Sequence, residues 1–142
     1  MKFKVNQQDI QQALNFCQGV IEKRSTLPIL SNILLEADSS KLTITATDLD
    51  LIFIHKIENT EVFKPGKTTT NSSTMYDIIR KFNSGKKINL TLNEDNKLHL
   101  ESEKSIFNLN CIDASEFPLT DENFNQNEFS IRSKDLLKLL NK

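Results

Sequence analysis

Arg24-Ser25-Thr26-Leu27-Pro28-Ile29-Leu30-Ser31-Asn32-Ile33-Leu34-Leu35 is the stretch at which this chain changes its period. Upstream of it, Ile10, Ala13, Leu14, Cys17 and Ile21 recur at the three-and-four spacing of one helix face, with Asp9 suited to the first turn. The opposite face is uncharged amide: Gln8, Gln11, Gln12, Asn15 and Gln18. Pro28 biases its predecessor toward extended geometry and ends that pattern. Three extended runs follow, Ile29 to Ala37, Leu42 to Thr47 and Leu49 to Ile57, rich in Ile, Leu, Thr and Phe as paired strands are. Asp38-Ser39-Ser40 supplies a hairpin turn and Pro65-Gly66 a second turn.

Outward from this centre the same two periods recur. Lys2 to Asn6 alternates, with Phe3 and Val5 on one side, and predicts a short strand before the first helix. Ser72-Ser73-Thr74 offers capping hydroxyls to a second helix whose Met75, Ile78, Ile79 and Phe82 share a face and which Gly85 closes. Ile88-Leu90-Leu92, Leu98-Leu100 and Phe107-Leu109-Cys111 read as three more strands, separated by Asn93-Glu94-Asp95-Asn96 and by Glu103-Lys104. Beyond an acidic loop from Asp113 to Asn127, a strand from Glu128 to Ile131 and a helix opened by Ser133 repeat the opening in miniature. The expected fold class is α+β, two helices packed on one side of antiparallel sheets. Residues 1–125 are expected to form one domain and 126–142 to begin a second, truncated one. A helix carrying Leu136, Leu137, Leu139 and Leu140 with nothing to cover it is expected to be loosely held or to find a partner surface.

Composition bounds the function. The 142 residues are 37% hydrophobic and 26% charged, with nine Phe and no Trp, an ordinary globular balance. No apolar run approaches the roughly 20 residues that cross a bilayer, and the amino terminus has no signal-peptide core; a cytoplasmic protein without membrane contact is expected. Cys17 and Cys111 make no zinc or redox spacing and read as buried thiols. A net charge of -1 argues against holding nucleic acid by bulk charge. Its distribution is uneven: Asn71 to Leu90 carries four basic residues and one acid, whereas Thr91 to Phe129 carries nine acids and two lysines.

The opening Met1-Lys2-Phe3, the Arg24 to Leu35 stretch, Thr47-Asp48-Leu49-Asp50, the Pro65-Gly66 turn and Asp113-Ala114-Ser115-Glu116-Phe117-Pro118 together resemble the first domain of the DNA polymerase III beta subunit, the bacterial sliding clamp. So does the order strand, helix, three strands, helix, three strands, and the likeness covers the whole chain. It implies a DNA-clamp fold in a ring closed by two chains of three similar domains each, helices lining a hole and sheets forming the outer wall. Duplex DNA threads the hole without sequence preference and the replicative polymerase is tethered for processive synthesis. The implied role is a processivity factor, not an enzyme, with no cofactor. DNA polymerase III and the clamp loader would be bound by later domains, and the full-length protein would be a homodimer.

Site residues follow from the same likeness. Arg24 matches a DNA-contacting arginine of the family, and Lys23 sits beside it where a long cation could reach a phosphate; the competing reading of Arg24 is a surface arginine favoured by a helix dipole. Arg80 and Lys81, near the end of the second helix, are further candidates for DNA contact that fit either reading. Polar faces rich in amide suit a sliding surface, since each neutralised phosphate adds affinity and friction together. Family members often carry basic residues where this chain has Ser72-Ser73-Thr74, so part of the positive lining is missing. The isolated domain is expected to bind DNA no tighter than roughly 0.1 mM. Phe107 and Leu109 match positions that meet the neighbouring chain, yet their alternation with Cys111 equally marks an inward core.

Two other classes compete. A metal-dependent nuclease-like domain would use Asp48, Asp50 and His55, but on one strand the two carboxylates point away from the imidazole. His99 stands alone among apolar residues, the three glycines are scattered, and no nucleophile has a supporting base. No metal site is expected. A small non-catalytic interaction module would bind peptides along a sheet edge.

Overall fold

The computed structural model describes residues 1–24, 26–118 and 130–142. Phe3 and Val5 of β1 (Lys2–Asn6) point inward, and the strand runs directly into α1 (Gln7–Cys17). Asn6 ends the one and caps the other, its side chain accepting from the Gln8 backbone N–H at 2.9 Å. Helical geometry stops at Cys17, but Ile21 still donates to the Cys17 carbonyl at 3.1 Å and is buried, so the apolar stripe outlasts the helix.

Pro28 opens a short 3-10 segment, Pro28–Ser31, which holds Ile29 and Leu30 out of the strand predicted for them. β2 (Asn32–Asp38), β3 (Lys41–Thr47) and β4 (Ile52–Ile57) then form an antiparallel meander. Ser39 turns the first hairpin with φ 54°. The second is turned by Asp48, whose carboxylate accepts from the Asp50 and Leu51 backbone N–H groups at 3.0 and 2.7 Å. Asp48 and Asp50 therefore sit on a turn, and the strand starts later than Leu49.

Two strands went unpredicted: β5 (Glu61–Lys64) and β6 (Gly66–Asn71). Periodicity missed them because β5 is a short, largely exposed edge and β6 buries three threonines, Thr68, Thr69 and Thr70, instead of aliphatic residues. Five strands, not three, thus separate the helices. α2 (Ser72–Ile79) follows, capped by Asn71 and not by the hydroxyls after it: the Asn71 side chain accepts from the Thr74 N–H at 2.9 Å. Gly85 lies past the helix end and turns the chain at φ 77° into β7 (Lys87–Leu92), with β8 (Lys97–Ser102) and β9 (Ser105–Ile112) completing the second meander. The Asp113 side chain accepts from the Ser115 N–H at 2.8 Å, setting a second 3-10 turn that seats Phe117 on Leu34. After the undescribed 119–129, α3 (Ser133–Leu140) starts without a side-chain cap and buries none of its residues. The strand expected at Glu128 to Ile131 lies partly outside the described residues; Ser130 and Ile131 are irregular.

The nine described strands run β4-β3-β2-β6-β9-β8-β7-β1-β5. Within this order lies an internal repeat. A strand, a helix and a three-strand meander (β1, α1, β2 to β4) are followed by the same unit again (β6, α2, β7 to β9), and each first strand joins the other unit's meander. The domain is therefore interlocked, with one main core running from Phe3 through Leu14, Ile44 and Met75 to Leu100. Where the wings of the sheet approach each other, Gly66 faces Met1 so closely that an added Cβ would lie 2.9 Å from the Met1 Cβ. α1 packs on the sheet chiefly through β1, β3 and β4 and α2 chiefly through β6, and the two helices pack on each other.

Candidate nucleic-acid interface

α1 and α2 lie side by side and antiparallel, and amides stitch their outer seam. Gln7 Nε2, at the start of α1, donates to the Ile79 carbonyl at the end of α2 at 3.0 Å. At the other end, Gln18 donates to Ser72 Oγ at 3.0 Å and accepts from Ser73 Oγ at 3.1 Å. Midway, the Tyr76 hydroxyl donates to Asn15 Oδ1 at 3.2 Å. An amide can do this because it supplies a donor and an acceptor with no charge to desolvate. Ser72 and Ser73, expected as caps, serve this seam.

Above the seam runs an open groove of about 450 Å³, lined by Gln8, Gln11, Gln12, Asn15, Tyr76 and Ser84. The amide face of α1 thus borders one concavity with Tyr76 of α2 and Ser84, and no charged side chain lines it. Gln8 closes one end by donating to Ser84 Oγ at 2.7 Å.

Exposed cations follow each helix in the chain. Arg80 caps α2 beside the start of α1, with Lys81 next to it; Lys23 and Arg24 follow where the chain leaves α1. All four are exposed, and among the described residues none forms an ion pair. Glu22 accepts from the Arg24 backbone N–H at 3.0 Å and not from its guanidinium. Because α1 has ended well before Arg24, that residue is no helix-end cation. Lys86 and Lys87 differ: Lys86 pairs with Glu103 at 3.3 Å and Lys87 with Glu61. The hydrogen bond from Lys87 holds the Glu61 carboxyl below its ordinary range, as the bonds from Asn83 and then Lys86 do for Glu103. The basic stretch from Asn71 to Leu90 is thus half neutralised. One residue escaped the sequence reading: Tyr76, whose ring lies under the Arg80 guanidinium, 5.3 Å from Cζ to centroid. A tyrosine one helical turn before an arginine was the available signal.

The remaining candidates fall elsewhere. Leu109 is 6% exposed and belongs to the core of its own domain, because alternation turns 107, 109 and 111 inward. Its side chain is not free for a neighbouring chain. Phe107 is half-buried and packs edge-on against Phe82, centroids 5.5 Å apart. The carboxylate of Asp48 is engaged by its turn, and His55 stacks on Phe53 at 6.2 Å beside Phe16. Among the described residues no three His, Cys, Asp or Glu side chains group so as to hold a metal ion. Cys17 is buried, its thiol pushed up to about 12 by desolvation; Cys111 is half-buried and raised for the same reason. No described helix is long and apolar enough to cross a membrane.

A sheet-backed pair of antiparallel helices with a polar outer groove defines a DNA-clamp domain, and comparison with known proteins bears this out. The family model described as DNA polymerase III beta subunit, N-terminal domain, matches residues 1–121, and the chain belongs to that family. It is 33% identical over 143 residues to the beta sliding clamp of Caulobacter vibrioides and 29% identical over 142 residues to that of Pseudomonas aeruginosa, covering 100% of this chain and 38% of each relative. The chain thus spans little over a third of those proteins. Among solved structures, it superposes on Caulobacter crescentus pol III beta with TM-score 0.93 at 33% identity, over 100% of this chain and 38% of that one. It superposes on the DNA polymerase III subunit beta of Pseudomonas aeruginosa with TM-score 0.92 at 28% identity, over 99% and 38%.

Proposed function

We propose that this chain supplies the first domain, residues 1–125, and the opening of the second, 126–142, of a ring-shaped sliding clamp. The ring encircles duplex DNA irrespective of sequence and tethers the replicative polymerase for processive synthesis in the cytoplasm. The observation that carries the reading is the neutral, amide-lined groove between α1 and α2 with Arg80, which forms no ion pair among the described residues, against its Tyr76 wall. Such a surface attracts the phosphate backbone from its rim without gripping it along its floor, and low grip is what sliding needs. Lys23, Arg24, Arg80 and Lys81 make the phosphate contacts. No bond is made or broken; the domain acts by topology. DNA polymerase III and the clamp loader engage other domains of the same protein.

Closure of the ring by a second copy uses β9. Its edge from Ser105 to Leu109 pairs with no described strand on the side away from β8, and an open edge is a template for another chain. Leu109 contributes its backbone there, and Phe107 the exposed part of its ring.

The test is charge reversal in the full-length clamp. Arg24→Glu together with Arg80→Glu is expected to weaken DNA binding at low salt and to flatten its salt dependence by about two phosphates' worth, a slope change of roughly 0.9 per phosphate. Unchanged affinity would overturn the DNA face. For the ring, Phe107→Ala is expected to shift the full-length protein toward monomer in light scattering; an undisturbed dimer would remove Phe107 from the interface.

A further inference from the structure

An exposed arginine is a poor phosphate ligand until its long side chain is ordered, and that ordering entropy is lost on binding. Arg80 has a partner in place. Its guanidinium lies over the Tyr76 ring, 5.3 Å from Cζ to the centroid, and Tyr76 is itself held from the other helix, its hydroxyl donating to Asn15 Oδ1 at 3.2 Å. A cation–π contact of this kind engages the side of the guanidinium that faces the ring and leaves the N–H groups directed away from it for phosphate oxygens. Tyr76 also lines the groove. Lys81, adjacent in sequence, has no such platform among the described residues.

We propose that Tyr76 is a positioning residue for DNA binding: braced by Asn15 across the helix seam, it holds the Arg80 guanidinium at the groove's rim with its N–H edge presented to the phosphodiester backbone. This rests on the reading of the groove as the DNA face. It also assigns the seam a task beyond packing, since α1 sets the orientation of a cation carried by α2.

A double-mutant cycle on the full-length clamp tests it, with a short duplex of arbitrary sequence at low ionic strength as the probe and fluorescence anisotropy as the readout. Tyr76→Leu is expected to weaken binding roughly two- to fivefold, the size of an exposed cation–π contact, and to have no effect in the Arg80→Gln background. Tyr76→Phe keeps the ring but loses the hydroxyl bond to Asn15, and its affinity is expected to fall between wild type and Tyr76→Leu; wild-type affinity would overturn the part given to Asn15. A loss of equal size in both backgrounds means that Tyr76 only stiffens the helix pair, and overturns the proposal, as does no loss at all. Should Tyr76→Leu fail to fold, Arg80→Lys serves: it keeps the charge but loses the guanidinium over the ring, and wild-type affinity for it would likewise overturn the proposal. If Arg80→Gln itself leaves affinity unchanged, the DNA reading of Arg80 fails first and takes this inference with it. That outcome is distinct from an equal loss in both backgrounds.

Discussion

The two repeat units of the domain reach one topology from unlike residues. In the first, β1 enters α1 through the cap Asn6, a buried Gln7 follows, and the helix seats Ile10 and Leu14. In the second, β6 enters α2 through Asn71, a buried Ser72 follows, and the shorter helix seats Met75 and Ile79. What the pair share is the capping asparagine and, after it, a job at each position more than a residue: a small or amide side chain for the seam, and an aliphatic stripe. What differs is how the exit from each helix is treated. α2 ends directly on a braced Arg80, whereas α1 passes through a turn before its cations, Lys23 and Arg24. The comparison teaches that the repeat is conserved as packing and hydrogen bonding, while charge is laid on separately.

The largest effects should come from the shared core. Leu14→Ala in the first unit and Met75→Ala in the second are each expected to cost about 2–5 kcal/mol, read by denaturant unfolding. Because each unit lends its first strand to the other's meander, both variants should still unfold in a single transition; two separate transitions would show that the units are independent. Next comes the closure of the sheet wings. Gly66→Ala places a Cβ 2.9 Å from that of Met1 and is expected to destabilise by about 1–3 kcal/mol; a neutral outcome would mean that the amino terminus yields freely.

The caps sharpen the comparison further. Asn6→Ala and Asn71→Ala each remove one side-chain acceptor from a helix start, and each should cost about 1 kcal/mol. A clear inequality would show that one helix depends on its cap more than the other. Smallest of all is the pair between Lys87 and Glu61, exposed on both sides. Glu61 has a folded pKa below its unfolded value, so any contribution is present above the ordinary carboxylate range and is lost as pH falls through the folded value. Solvent screening makes it slight, and Glu61→Gln should leave the neutral-pH unfolding midpoint in place while slightly reducing its dependence on acid.

Much of this was legible in the residues. The two amphipathic helices and both meanders follow from period and turn chemistry, the turn at Asp48 to Leu51 excepted, because a half-buried element writes its geometry into the spacing of apolar side chains. β5 and β6 were not legible, since an edge strand has little to bury and Thr68-Thr69-Thr70 buries hydroxyls that bond across to β9, Thr69 Oγ1 to the Ile112 carbonyl at 2.8 Å among them. The internal repeat was hidden for the same reason. The family signature stretches were legible as a pattern but not as a cause: Met1-Lys2-Phe3 and Pro65-Gly66, far apart in sequence, prove to be two sides of one close approach.

The two helices, the amide face of the first and the candidate cations were determined by the sequence alone, because each is a property of local spacing or residue type. Only the tertiary structure decided that β5 and β6 complete the sheet between the helices and that the amide face of α1 borders a groove shared with Tyr76 of α2. It also decided that Lys86 and Lys87 are spent on Glu103 and Glu61 while Arg80, without an ion pair among the described residues, lies over Tyr76, and that Leu109 belongs to the core. These outcomes depend on which side chains meet across the fold, and the spacing of residues along one chain does not carry that information.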